Sequence, residues 1–205
     1  MNVFCHFQSP IGRLLLTSDG TALTGLYMEP SRKAQSTDGW SEDPTVAPLA
    51  AALRQLGEYF AGTRREFDLP LRMQGTEFQQ RVWRELTEIP YGQTWSYGEL
   101  AKRIDNPSAS RAVGLANGRN PISIIVPCHR VIGADGSLTG YGGGLERKSW
   151  LLAHEGLHWG ANMGQLPLLD QGQRDSEDGT PAVGSIRGDG RAAVKLGDQP
   201  HDVQP

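Results

Sequence analysis

Cys128 stands between Pro127 and His129 in the stretch Val126-Pro127-Cys128-His129-Arg130-Val131, and it is one of two cysteines in the chain. A thiol attacks carbon as the thiolate, a form favoured by an adjacent imidazole or cation. A carboxylate that orients the imidazole would complete a set of nucleophile, base and orienter. Glu155 offers that carboxylate: it falls at the end of a helical pattern running from Glu146 to His154, just before Gly156. An anion at a helix C-terminus is disfavoured by the helix dipole, so Glu155 gains from a cationic or donor partner, and His129 is a suitable one. Taken by themselves, Cys128 and His129 also fit a buried structural cysteine beside a hydrogen-bonded histidine.

The elements around these residues decide whether they can act. Ile122-Ser123-Ile124-Ile125-Val126 is a short β-branched apolar run that reads as a buried strand, and Pro127, which has no N–H for a ladder, should end it. Upstream, Thr76 and Gln79 fit a capping box before a helix with the apolar face Phe78, Val82, Trp83 and Leu86. Ile89-Pro90-Tyr91-Gly92 ends that helix. Ser96 and Glu99 make a second capping box and start a short helix ending near Asp105. Asn106-Pro107 reads as an N-cap and first helical residue of a third helix running to about Asn117 and stopping at Gly118. Two short helices joined by a tight turn form a helix-turn-helix pattern. The second would be the recognition helix, with Ser110, Arg111, Ala112 and Gly114 on it. A major-groove reader usually carries several long polar side chains, and this helix has one arginine among small residues. That pattern suits close backbone approach and a wedge into a base stack; it equally suits a helix hairpin with small residues in its packing interface. Between Gly133 and Gly144 the chain is glycine-rich without a phosphate-loop pattern, and Tyr141 there could wall a flat pocket.

The first half has no comparable cluster. Val3, Cys5 and Phe7 alternate as in a half-buried strand, Leu14 to Thr17 and Leu23 to Met28 read as two more, and Asp19-Gly20 as a hairpin turn. Val46, Leu49, Leu53, Leu56 and Phe60 recur at helical spacing, so 46–61 is an amphipathic helix. Phe67, Leu69 and Leu71 alternate as a further strand. Strands with a helix packed on them make a small α+β domain. Cys5 reads as structural, and Cys5 with His6 supplies too few ligands for a metal.

Charge and composition exclude several classes. The net charge of −3 is carried by residues 157–205, whose eight glycines, four prolines and single aromatic Trp159 read as a disordered tail. From Tyr97 to Arg130 five basic residues face two acidic ones, a modest basic patch. Two widely separated cysteines make no disulfide framework and no C-x-x-C zinc site. No apolar run reaches transmembrane length and no signal peptide opens the chain, so a reduced, cytoplasmic protein is expected.

With Pro127-Cys128-His129-Arg130, Arg111-Ala112-Val113-Gly114, Asn120-Pro121, Tyr141-Gly142-Gly143-Gly144 and Leu151-Leu152-Ala153-His154-Glu155-Gly156 in family order, the chain resembles the O6-alkylguanine-DNA alkyltransferases. These are also called methylated-DNA–protein-cysteine methyltransferases. The resemblance covers about residues 1–156. Ser9-Pro10-Ile11-Gly12 and Phe78-Gln79-Gln80-Arg81-Val82-Trp83 give it the flavour of the bacterial constitutive members. It implies an α+β chain in which a ribonuclease H-like α/β domain, 1–74, precedes a mostly helical, winged-helix-like catalytic domain with the helix-turn-helix, 75–156. It further implies that Cys128 takes the alkyl group from guanine O6, and from thymine O4, in double-stranded DNA, in one irreversible, self-inactivating event. His129, oriented by Glu155, would activate the thiol through a water, and Asn120 would tie the preceding turn to this network. Arg111 would fill the space of a flipped nucleotide while Tyr97 presses on the neighbouring phosphate. Ser110, Ala112 and Gly114 would line the minor groove, and Tyr97, Val131, Tyr141 and Gly142 the base pocket. Gly142 stands where some members have serine, which implies a roomier pocket. No cofactor, zinc or membrane is implied, and the protein would be a monomer that could bind DNA cooperatively. A Cys-His-Glu hydrolase, a non-reacting lesion binder and a helix-turn-helix regulator are the competing readings. The hydrolase would turn over, the lesion binder would lack Cys128, and the regulator would carry more base-reading side chains.

Overall fold

The computed structural model describes residues 2–30 and 36–157. The tail reading therefore lies outside the described residues. Three strands open the fold: β1 (Val3–Ser9), β2 (Gly12–Ser18) and β3 (Leu23–Met28). They form an antiparallel meander, and the short β4 (Ser41–Glu42) adds to β1 in parallel, for the order β3-β2-β1-β4. Alternation sends Val3 and Cys5 inward, and Leu14, Leu16, Leu23 and Leu26 are fully buried beneath helix α1 (Ala47–Phe60). Each such leucine contributes about 1.5–3 kcal/mol by leaving water.

The second half holds α2 (Glu77–Thr87), β5 (Trp95–Ser96), α3 (Tyr97–Arg103), α4 (Ser110–Gly118), a 3₁₀ turn at Cys128–Arg130, β6 (Val131–Ile132) and α5 (Leu145–His154). Both expected capping boxes form: Thr76 with Gln79 opens α2, and Ser96 with Glu99 opens α3. Strand β6 pairs in parallel with β5, Trp95 beside Val131. This pairing attaches the segment after Cys128 to the start of α3.

Three expectations need correction. Phe67 to Leu71 is not a strand. It makes a single bridge, Leu71 to Leu23, because Pro70 lacks a donor and both backbone groups of Asp68 are taken by the Gln55 side chain at 2.7 and 2.8 Å. Helix α4 starts at Ser110 rather than at Asn106-Pro107, because Asn106 to Ala109 close a separate turn through a 2.9 Å backbone hydrogen bond. Finally, Ile122 to Val126 is buried as expected but is a turn, with Val126 N–H on the Ile122 carbonyl at 3.0 Å and Ile124 at φ 71°.

Candidate active site

Asn120 accounts for that turn. Its Oδ1 accepts from Ile122 N–H at 2.9 Å, and its Nδ2 donates to the Val126 carbonyl at 2.8 Å. A single buried side chain thus satisfies backbone groups that a ladder would otherwise need. The segment is tied to the first sheet by Leu26 N–H donating to Pro121 O at 2.9 Å and Ser123 N–H to Leu26 O at 3.1 Å. Pro127 then leads into the 3₁₀ turn that carries Cys128, His129 and Arg130, all three buried.

Glu155 is the hub of the cluster. Its Oε1 receives His129 Nε2, Arg130 Nη2 and the Tyr59 hydroxyl, each at 2.9 Å. Its Oε2 receives Arg130 Nε at 2.8 Å and Gly92 N–H at 3.3 Å. Arg130 therefore grips the carboxylate with two parallel bonds, and its remaining Nη1 donates to the Ile89 carbonyl at 2.6 Å. Gly92 has φ 71°, and a Cβ there would lie 3.0 Å from the Glu155 carbonyl oxygen, so only glycine delivers that N–H. Burial would push the Glu155 carboxyl up, but the hydrogen bonds and charges of His129 and Arg130 outweigh it and hold the carboxyl below the usual carboxylate range. His129 is fully buried, and burial holds its imidazole below the ordinary 6.5 against the opposing pull of Glu155. A neutral imidazole facing a carboxylate keeps its proton on that nitrogen. Nε2 is then the N–H and Nδ1 carries the lone pair. Nδ1 has no hydrogen-bond partner among the described residues.

Cys128 lines a cavity together with Tyr27, Met28, Asn117, Asn120, Tyr141 and Gly142. The cavity thus gathers four of the expected residues; Val131 and Tyr97 do not line it. Val131 is fully buried in β6, and its carbonyl accepts from Lys148 Nζ at 2.6 Å. Tyr97 is half-buried at the start of α3, its hydroxyl 3.4 Å from both the Thr139 and Gly140 carbonyl oxygens. Its ring lies 3.7 Å from where a Gly114 Cβ would stand, so α4 and Tyr97 meet at that glycine. Arg111 and Ala112 are exposed on α4, and Ser110 is half-exposed at its first residue. In the first half, Cys5 is buried in β1, and burial, with Glu42 adding, pushes its thiol up to about 12. The thiol remains protonated in neutral solution.

Four participants escaped the sequence reading. Arg130 lay inside the quoted motif without a role. Tyr59 sits on the apolar face of α1, where a tyrosine needs an outlet for its hydroxyl. Lys148 falls on the same face of α5 as Leu151 and Leu152, and a charge on an apolar face was the available signal. Asn117 carries no local signal beyond its place at a helix end.

The arrangement sets a carboxylate-held histidine next in sequence to a cysteine that lines a cavity. Two family models cover nearly all the described chain: "6-O-methylguanine DNA methyltransferase, ribonuclease-like domain" matches residues 3–73, and "6-O-methylguanine DNA methyltransferase, DNA binding domain" matches 77–157. A methylated-DNA–protein-cysteine methyltransferase of Mycolicibacterium paratuberculosis is 57% identical over 156 residues, spanning 76% of this chain and 93% of its own. The crystal structure of Mycobacterium tuberculosis O6-methylguanine methyltransferase matches with TM-score 0.71 at 54% identity, covering 76% of this chain and 93% of that one. A Mycobacterium tuberculosis OGT in complex with DNA matches with TM-score 0.70 at 54% identity, covering 75% and 92%. The chain belongs to the 6-O-methylguanine DNA methyltransferase family.

Proposed function

We propose that this protein repairs DNA by moving the alkyl group of O6-alkylguanine, and of O4-alkylthymine, onto Cys128. The observation that carries the reading is the His129–Glu155–Arg130 cluster, buried beside a cysteine that lines a cavity. His129 Nδ1 takes the thiol proton. The sulfur attacks the alkyl carbon, a C–S bond forms, and the C–O6 bond breaks with its electron pair leaving on the base oxygen. The proton taken up by His129 is passed to the guanine anion, which leaves the imidazole and the base neutral. Oriented donors and a neutral imidazole lower the barrier by placing and activating the thiol, with no metal or cofactor in the step. A thioether has no hydrolytic exit, so each molecule acts once. The test is the mass of the intact protein after incubation with excess O6-methylguanine duplex. One methyl addition should appear, on the peptide containing Cys128, and then stop; repeated turnover would bring back the hydrolase reading.

The pH profile follows from the imidazole. Because burial holds His129 below 6.5, it stays neutral through the physiological range and protonates only in acid. Transfer rates should be level from about pH 6.5 upward and fall below it, so an acid limb centred above pH 7 would count against His129 as the base.

DNA recognition falls to the second half. We assign a two-part organisation, 1–74 and 75–156, with α3, its turn and α4 acting as a helix-turn-helix. The lone exposed Arg111 among Ser110, Ala112 and Gly114 suits minor-groove docking and a flipped-out nucleotide, with Tyr97 at the neighbouring phosphate. Tyr141 and Gly142 would wall the base. Arg111→Ala should slow repair of duplex by roughly 100-fold while leaving reaction with free O6-benzylguanine within about 2-fold, since flipping costs a few kcal/mol only in the stack. Equal losses on both substrates would move Arg111 into the chemistry or the fold. The protein is read as a cytoplasmic monomer; among the described residues no helix is long and apolar enough to cross a membrane.

A further inference from the structure

Glu155 Oε1 faces three donors at 2.9 Å, His129 Nε2, Arg130 Nη2 and the Tyr59 hydroxyl, while Oε2 takes Arg130 Nε and Gly92 N–H. An ionised carboxylate offers about four lone-pair sites, fewer than the donors that share them. His129, Arg130 and Gly92 all belong to the second half of the chain. Tyr59 comes from the first, near the end of α1.

Tyr59 is fully buried, with the rings of Phe60, Phe67, Tyr91 and His154 around it. His154 Nε2 donates to the Tyr59 carbonyl at 2.7 Å, and the Tyr91 hydroxyl donates to the His154 carbonyl at 3.1 Å. These bonds hold the tyrosine against the residue that precedes Glu155. Packing alone needs only the ring, and phenylalanine would supply it without a buried hydroxyl to satisfy. Among the described residues the partner of that hydroxyl is the carboxylate that orients His129. Burial and Glu155 push the phenol far above its ordinary 10, so it remains a donor throughout the working range.

We infer that Tyr59 is a positioning residue for alkyl transfer, supplied by the first half of the chain: its hydroxyl shares Oε1 with His129, holds the carboxylate in place and limits how strongly that oxygen draws on the imidazole. The inference rests on the alkyl-transfer reading above, with His129 as the base. Removing a donor from Oε1 leaves more of its negative charge to His129 and favours the imidazolium. A stronger donor at the same place does the opposite. The other groups that bear on this pair do not change between the proteins to be compared. The Arg130 guanidinium is a fixed charge, Lys148 is held at about 8, and burial raises the phenols of Tyr91 and Tyr141. His154 against the Tyr59 ring and Arg65 over Tyr91 are common to every profile.

The test compares pH–rate profiles of transfer to Cys128 for the wild type, Tyr59→Phe and a protein with 3-fluorotyrosine at position 59, a stronger donor of nearly the same shape. Each is run on O6-methylguanine duplex and on free O6-benzylguanine. The acid limb should move up by about half to one pH unit in Tyr59→Phe and down by a smaller amount with 3-fluorotyrosine, equally on both substrates. Loss of packing alone would lower the melting temperature and leave the limb where it is. A limb that stays or moves down in folded Tyr59→Phe, or moves up with 3-fluorotyrosine, overturns the inference. Should Tyr59→Phe fail to fold, the fluorinated protein, which keeps both ring and hydroxyl, decides alone, and an unmoved limb rejects the role. A wild type that transfers without any acid limb rejects it too, because His129 is then not the base. A wild type that transfers nothing to Cys128 from either substrate would instead reject the alkyl-transfer reading.

Discussion

Alanine at position 128 should abolish alkyl transfer while the protein remains folded and bound to alkylated duplex. Cys128 is small and lies at the wall of a cavity, so loss of its sulfur costs little packing. The hydrogen bonds of the turn run through its backbone and through Asn120, and they survive the change. Gel shift with O6-methylguanine duplex should give an affinity within about 3-fold of wild type, falling gently with salt because the basic patch is modest. The mass spectrum should show no methyl adduct at any time. Cys5→Ala is the matching control. That thiol is buried in β1 and held protonated by its surroundings, so its removal should leave the transfer rate unchanged. Methylation of the Cys128→Ala protein, or an adduct on the Cys5 peptide of the wild type, would show that the acceptor has been misassigned.

Glu155→Ala should be the most damaging single change to stability among the site residues. Arg130 is 6% exposed and spends two of its donors on this carboxylate, while His129 and Tyr59 also lose their acceptor. Removing one member of a buried ion pair costs about 3–5 kcal/mol, because the other charge is left uncompensated. For a chain of this size that is a drop in melting temperature on the order of 10 °C. Arg130→Met in the same protein should recover part of the loss, since it removes the stranded charge. The pH dependence has a definite sign. A carboxyl held below its ordinary 4.5 contributes stability that is present above that value and lost as pH falls through its folded-state value. His129, held below 6.5, acts in the same direction, because the unfolded chain takes up its proton first. Wild-type stability should therefore decline below about pH 6.5 and more steeply below 4.5, and Glu155→Ala should lose the steeper part. A wild-type melting temperature flat from pH 7 to pH 3 would contradict this account.

Local signals in the sequence were dependable where neighbours in the chain decide the outcome. Thr76 with Gln79 and Ser96 with Glu99 cap their helices as the spacing implies, and the alternation of Val3 to Phe7 and the periodicity of α1 set the inward faces. The failures share a cause. An apolar β-branched run reports burial but not where its backbone hydrogen bonds go, and at Ile122 to Val126 the Asn120 side chain replaced the ladder. Gln55 did the same to Asp68 across a gap in sequence that no window could see. In the candidate site, the meeting of His129 with Glu155 was legible because a carboxylate at a helix C-terminus needs a donor. Tyr59 was not, because its hydroxyl reaches Glu155 from the other half of the chain and its spacing looks like ordinary packing.

Lys148 bears on how this pocket can change. Its buried ammonium donates to the carbonyls of Val131 and Thr139, at 2.6 and 2.7 Å, and so pins the segment that carries Tyr141 and Gly142 beside Cys128. Both acceptors are main-chain atoms, present whatever residue occupies the position. The anchor is therefore indifferent to the side chains it holds. A change of side chain at Tyr141, which lines the cavity, would leave both Lys148 hydrogen bonds in place. The cavity wall and the Glu155 cluster thus hang on separate hydrogen bonds, so the breadth of the one can change without disturbing the other.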